Sequence, residues 1–190
     1  AGAKLDFKAR PAFDAAKAQA IYGLLLQANV GARRADHAKL LEARERLTAD
    51  DRSDAAMNLR AATASFKEVF DANHQRELLR WAWHHFFGQH QLMLMPITAT
   101  PAFAHDHSEP APARTMLVNG RPVPYFAQVF WAGLATASFL PSTVAPVGLT
   151  PDGLPVGVQI VGPEMADRST IWLAGQLARL IGGFNSPPGY

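Results

Sequence analysis

The stretch that decides the fold reads Leu140-Pro-Ser-Thr-Val-Ala-Pro-Val-Gly-Leu-Thr-Pro-Asp-Gly-Leu-Pro-Val-Gly-Val-Gln-Ile-Val-Gly-Pro163. It contains two runs rich in β-forming residues, 142–149 and 154–161, and Thr150-Pro-Asp-Gly153 separates them. Proline at the second position of a turn, aspartate at the third and glycine at the fourth are typical of a type I turn. We therefore predict an antiparallel β-hairpin in which alternate residues of each run point to opposite faces.

Upstream of this hairpin, residues 1–90 are predicted to be a mainly helical segment. Asp14 is placed to cap a helix over about 15–28, which Gly31 would end. A second helix is predicted over about 35–47, and the polar cluster 48–53 then precedes a third. Ser65 followed by Glu68 is a capping-box pattern and opens a long helix that ends near Gly88.

Residues 91–190 are predicted to form an α/β segment, which makes the fold class α/β with a helical first half. The apolar run 92–97 predicts a strand buried on both faces. A long polar loop is predicted from Thr98 to Pro122, and a buried helix over 125–139. After the hairpin, Asp167 is placed to cap a last helix over about 168–180, which Gly182-Gly183 would stop.

Composition narrows the class of protein without naming a function. A formal net charge of +2 makes no case for nucleic-acid binding, and the absence of cysteine excludes disulfides and thiolate metal sites. No apolar run reaches the roughly 20 residues that cross a bilayer, and the first residues lack a signal-peptide core. We expect a soluble, cytoplasmic protein that binds neither nucleic acid nor membrane.

The stretch 140–163 resembles the C-terminal hairpin of amidase-signature hydrolases. Leu92 to Phe103 looks like that family's late strand and its Pro-Ala-Phe turn, and residues 119–133 look like the connection to the next helix. The closing Gly182–Gly189 resembles a typical C-terminus of the family. The resemblance implies an α/β/α fold around a mixed sheet, in which residues 1–90 and 91–190 together form the C-terminal part of one larger amidase domain.

The family resemblance also implies an activity, the hydrolysis of carbon–nitrogen amide bonds other than peptide bonds. The reaction would pass through an acyl-enzyme, without a metal or other cofactor, and the substrate would be a small-molecule amide. The family's nucleophilic serine, its second serine and its lysine belong to the N-terminal half, with the serines in and near a Gly/Ser-rich stretch. This chain has no Gly-Gly-Ser-Ser run. No lysine follows Lys67.

A serine hydroxyl needs a base in contact and donors for the oxyanion, and we can assign neither here. We therefore predict no catalytic residue and no turnover by the chain alone. Ser138 and Ser142 are tempting nucleophiles, but neither has Gly-x-Ser-x-Gly neighbours. The N-terminal half of the same protein is the expected partner. A bare sheet edge favours association, so a homodimer is a further option.

The resemblance directs attention to two loops as walls of a substrate pocket. The candidate pocket residues are Trp131, Phe139, Pro141, Ser142, His105 and Asp106. Core packing is the alternative for Trp131 and Phe139, and an Asx-type turn for Asp106. No metal site is predicted, because His105-Asp106-His107 has no third ligand in view. For Gln159 a hydrogen bond to backbone is favoured over a substrate contact.

A second hypothesis comes from another functional class. The chain would be a stand-alone binding or interaction domain that reuses the amidase half-fold. The long loop Thr98–Pro122 would then be its recognition surface.

Overall fold

The computed structural model describes residues 2–109 and 111–186, and its first half consists of helices. They are α1 (Ala15–Ala32), α2 (His37–Glu45), α3 (Asp54–Ala62) and α4 (Phe66–Phe87). The predicted caps are confirmed. The Asp14 carboxylate accepts from the N–H groups of Ala16 and Lys17, and Ser65 forms the capping box with Glu68. Hydrogen bonding from Arg44, with smaller contributions from Ser65, lowers the pKa of Glu68 to about 2.

The predicted end of α1 at Gly31 is wrong, because the helix continues to Ala32. Gly31 is buried, and a Cβ added there would lie 2.0 Å from the carbonyl oxygen of Ala62. This glycine therefore lets α1 and α3 approach closely, and it does not supply a left-handed cap. The sequence pattern alone does not distinguish these two uses of glycine.

The second half begins with β1 (Met93–Pro96) and contains two antiparallel sheets within the described residues. The remaining strands are β2 (Thr115–Val118), β3 (Arg121–Pro124), β4 (Ser142–Leu149) and β5 (Pro155–Val161). The larger sheet has the order β1-β5-β4. The hairpin β4–β5 is confirmed: the Gly153 N–H donates to the Thr150 carbonyl at 2.9 Å, which closes the predicted turn.

β1 does not have both faces buried, so that prediction is wrong for the chain as described. Met95 is buried, but the side chain of Leu94, which points the other way, is 46% exposed. Among the described residues β1 pairs with β5 alone and so forms an edge of the three-stranded sheet. A continuous apolar run predicts burial correctly only where both faces of the strand are covered.

The segment 98–122 is not one continuous loop, which is a second correction. It contains a 3-10 helix (Ala111–Ala113), the whole of β2 and the beginning of β3. Asn119 and Gly120 have φ values of 51° and 75°, so both adopt the left-handed conformation of a tight two-residue turn. Two prolines in β3 hid this hairpin from pattern reasoning, because proline argues against a strand.

The described residues of this half also contain two α-helices. A 3-10 turn (Tyr125–Gln128) leads into α5 (Val129–Ala137), so the predicted helix over 125–139 is shorter than expected. The last helix is α6 (Asp167–Ile181), and Asp167 is its first residue and not its cap. Gly182 and Gly183 end it with φ values of 100° and 63°. Residues 187–189 of the C-terminal resemblance lie outside the described residues.

One hydrophobic core joins the two halves. It combines residues of α1, α4 and α5 with one face of the larger sheet, among them Ile21, Trp83, Leu134 and Val161. The other face of the sheet receives α6, where the hydroxyls of Thr143 and Thr170 lie 2.8 Å apart. In the part of the chain that is described, no helix combines the length and apolarity needed to span a membrane.

Candidate functional site

A cavity of about 370 Å³ opens beside the core, where the segment before α1 meets α4, β1 and α5. Its walls are mostly apolar and aromatic. They consist of Arg10, Pro11, Phe13, Ala15, Trp83, Met93, Leu94, Met95, Pro96, Phe130, Trp131 and Leu134. Concave, largely apolar spaces of this size are where proteins bind small molecules.

Aromatic packing fixes the shape of this cavity. The ring centroids of Phe13 and Trp83 are 5.6 Å apart, and Trp83 stacks on Phe87 at 5.5 Å. The rings of Phe130 and Trp131, which also line the cavity, meet edge to face at 5.0 Å. Such pairs hold their rings in defined orientations, so the walls are preformed.

Three residues of this wall carry polar side-chain atoms, namely Arg10, Trp83 and Trp131. The indole Nε1 of Trp83 is buried and has no hydrogen-bond acceptor among the described residues. Arg10 is exposed, and its Nη1 donates to the carbonyl oxygens of Phe7 and Ala9 at 3.2 and 2.6 Å. The described residues provide no acidic partner for Arg10, so its positive charge at the cavity is not neutralised.

Trp131, a predicted pocket residue, lies in the cavity wall on α5 and is half-buried. Its carbonyl oxygen accepts from the side-chain amide of Gln159 at 3.3 Å. The backbone hydrogen bond predicted for Gln159 is therefore confirmed, and it ties α5 to β5. Trp131 also packs against the core, so this residue both contributes to core packing and lines the cavity.

Phe139 is not a core residue, so the packing alternative is wrong for it. Its side chain is 54% exposed and its φ of 56° lies in the left-handed region. The guanidinium carbon of Arg76 lies 4.2 Å from the centre of its ring, which is cation–π geometry. Phe139 does not line the cavity, although the sequence grouped it with Trp131.

Pro141 and Ser142 follow Phe139 along the chain. The Pro141 carbonyl accepts from the Gly162 N–H at 3.1 Å, and the exposed Ser142 pairs with Val161 at the start of β4. Ser138, which precedes Phe139, is buried, and its hydroxyl has no partner among the described residues. None of these three residues lines the cavity beside Trp131.

His105 and Asp106 lie in the loop that follows β1, away from Trp131 in the chain and outside the cavity wall. Asp106 accepts from the Ser108 N–H at 2.9 Å, which confirms the Asx-type turn. Hydrogen bonding from Ser108, through its hydroxyl first and its N–H second, lowers the pKa of Asp106. Within residues 2–109 and 111–186 no cluster of three or more metal-ligating side chains occurs.

The sequence did not predict that Arg10, Phe13 and Trp83 line a cavity. Phe13 comes from a short irregular segment, and its contact with Trp83 is a long-range event that no local pattern encodes. Trp83 carried a usable signal, since it continues the apolar stripe of the long helix through Leu79 and Phe86. That stripe indicates burial, but it does not indicate a cavity.

A family model for amidases matches residues 13–171, so the chain belongs to the Amidase family. The sequence is similar to fatty-acid amide hydrolase 2-A from Danio rerio, at 28% identity over 68% of this chain and 23% of that protein. It is also similar to a glutamyl-tRNA(Gln) amidotransferase subunit of Zymomonas mobilis, at 31% identity over 54% of this chain and 18% of that protein. The chain thus spans about a fifth of the length of these curated relatives.

Solved structures support the same fold. One amidase superposes with a TM-score of 0.64, over 87% of this chain and 36% of that one, at 22% identity. A bacterial aryl acylamidase of the amidase signature family superposes with a TM-score of 0.60, over 89% of this chain and 34% of that one, also at 22% identity. The predicted family and the α/β fold class are both confirmed.

Proposed function

We propose that this chain is the C-terminal segment of a hydrolase of carbon–nitrogen amide bonds. In this proposal residues 1–90 and 91–190 form the C-terminal part of one larger amidase domain, and the serine–serine–lysine residues lie outside the chain. The chain contributes a wall of the substrate pocket around Trp131, and by itself it does not turn over amides. Membership of the Amidase family supports the reaction class.

The positions of the lysines support the proposal that the chain by itself does not turn over amides. Lys67 forms an ion pair with Asp71 at 2.7 Å, and its side chain is 82% exposed. The other four lysines, Lys4, Lys8, Lys17 and Lys39, are exposed as well. Among the described residues no lysine or histidine is hydrogen-bonded to a serine hydroxyl, and an isolated serine is a weak nucleophile.

Open sheet edges support the expected partner. β1 and β4 each have one edge without a neighbouring strand among the described residues, and Val144 and Leu149 of β4 are exposed. Such edges attract another strand, here one from the N-terminal half of the same protein or from a second copy of the chain.

A labelling experiment with a matched serine variant tests the proposal. The purified chain is incubated with a fluorophosphonate probe and, separately, with a simple aryl amide. Ser138→Ala serves as the control, because Ser138 is a buried serine whose hydroxyl lacks a partner in the described part of the chain. We expect neither labelling nor turnover in either form. Labelling that disappears in Ser138→Ala, together with amide hydrolysis, would contradict the proposal.

A further inference from the structure

We propose that the cavity beside Trp131 binds a small molecule with an apolar body and a carboxylate, such as an arylalkyl carboxylic acid. The biological role of this binding rests on the proposed function, because hydrolysis of an amide with an apolar acyl group releases such an acid. The binding itself needs only residues of this chain.

The size and lining of the cavity define the body of the ligand. About 370 Å³ lies at the lower end of the range for small-molecule sites and suits a ligand with a single ring. Phe13, Phe130, Trp131 and Leu134 provide flat and branched apolar surfaces in the wall. Aromatic rings gain from edge-to-face contact with such walls beyond the burial of their area.

The charges around the cavity define the head group. Among the residues that the structure describes, Arg10 is the only ionisable one in the wall, and no aspartate or glutamate lines it. A carboxylate is therefore favoured over an ammonium group, which would meet a like charge. Part of the Arg10 guanidinium is held by the carbonyls of Phe7 and Ala9, so the group is positioned before a ligand arrives.

The Trp83 ring adds a further aromatic surface to the wall. It meets the ring of Phe13 at 5.6 Å, and Phe13 follows Arg10 in one short segment. A ligand in the cavity would therefore contact the face or edge of the indole, and Arg10 would bind its carboxylate.

A titration of the ¹⁵N-labelled chain with sodium phenylacetate tests the site. The four tryptophans give separate indole N–H resonances, each assigned by a Trp→Phe variant. We expect the resonances of Trp83 and Trp131 to move and that of Trp172, which is exposed on α6, to stay. Phenylacetamide has the same body without the charge, and we expect it to bind about threefold more weakly, since exposed ion pairs contribute little.

Three variants separate the parts of the proposal. Arg10→Gln should weaken phenylacetate about threefold and leave phenylacetamide unchanged. Leu94→Trp, at a partly exposed position of the wall, should block both ligands without disturbing the core. Leu117→Trp, exposed on β2 and outside the cavity wall, is the matched control and should change neither affinity.

Each contrary result is specific. If phenylacetate moves no indole resonance, or moves Trp172 as much as Trp83, the site does not exist. Equal binding of acid and amide, with no effect of Arg10→Gln, would overturn carboxylate recognition. Amide turnover by the isolated chain would contradict the proposed function and leave the binding result intact. If the chain neither binds phenylacetate nor turns over amides, the binding inference is wrong and the proposed function is unaffected.

Discussion

The two β-hairpins of this chain reverse direction by similar means but are buried to very different extents. Gly153 and Gly120 adopt φ values of 81° and 75°, so each turn depends on a left-handed glycine. In β4–β5 the residues 159–161 are all buried, whereas Met116 is the one buried residue described in β2–β3. The turn residues therefore determine where the chain reverses. The burial of the strands determines how much each hairpin contributes to the free energy of unfolding.

The same difference separates their relations to the cavity. β5 is tied to α5 through the hydrogen bond from Gln159 to the Trp131 carbonyl, and β1, its neighbour, forms part of the cavity wall. The hairpin β2–β3 lines neither that cavity nor the open groove between residues 97–103 and β4–β5. We therefore expect changes in β4–β5 to reach the site and changes in β2–β3 to remain local.

The largest expected effect comes from the buried strand. Ile160→Ala removes a side chain that is 0% exposed, and we expect it to lower the free energy of unfolding by about 2–4 kcal/mol. Leu117→Ala, at an exposed position of β2, should change it by no more than about 0.5 kcal/mol. Urea denaturation measures both. Equal losses would show that the two hairpins are equally integrated into the fold.

The glycines of the two turns give the next effect in size. Alanine costs about 1 kcal/mol in the left-handed region, so Gly153→Ala should lower global stability by about that amount. Gly120→Ala carries the same local strain, but the small hairpin can open without the rest of the chain. We expect faster amide exchange in β2 and an unchanged urea midpoint. A global loss for Gly120→Ala as large as that for Gly153→Ala would contradict this picture.

The sequence predicted the two hairpins unequally, and the reason is physical. The Pro-Asp-Gly turn lies between two apolar runs, so turn chemistry and hydrophobic pattern agreed on β4–β5. The Asn119-Gly120 turn is as strong a local signal, but Pro122 and Pro124 in β3 argued against a strand. β3 tolerates both prolines because it pairs with β2 alone and has one free edge among the described residues.

The sequence indicated only some of the residues around the cavity, because only some of them lie in regions with a clear local pattern. Trp131 and Gln159 lie in the well-patterned region around the hairpin. Trp131 lies in the cavity wall, and Gln159 makes the predicted hydrogen bond to backbone. Arg10 and Phe13 come from an irregular segment whose position depends on long-range packing against Trp83. His105 and Asp106 were chosen by family resemblance, and a role for them in binding stays a prediction.

A smaller effect should follow from a hydroxyl pair beneath the larger sheet. Thr143→Val removes a 2.8 Å hydrogen bond to the buried Thr170, and we expect a loss of about 0.5–1 kcal/mol. The loss stays modest because Thr170 still donates to the Asp167 carbonyl at 2.8 Å. Thr115→Val, exposed on β2, is the matched control and should have no measurable effect in thermal melts. Equal effects would argue that the buried pair contributes nothing specific.

The smallest effect concerns pH at the loop that precedes the small hairpin. Hydrogen bonding from Ser108 holds the pKa of Asp106 below its ordinary value of 3.8. A lowered pKa in the folded state means that the carboxylate stabilises the turn above that ordinary value, and that this stabilisation is lost as pH falls through the lowered pKa. The Ser108 amide resonance should therefore titrate with a midpoint below 3.8, while the amides of β5 remain unchanged. Asp106→Asn keeps an acceptor for the Ser108 N–H but has no proton to gain, so its Ser108 resonance should show no transition. A midpoint at or above the ordinary pKa value would mean that the turn between Asp106 and Ser108 does not form in solution.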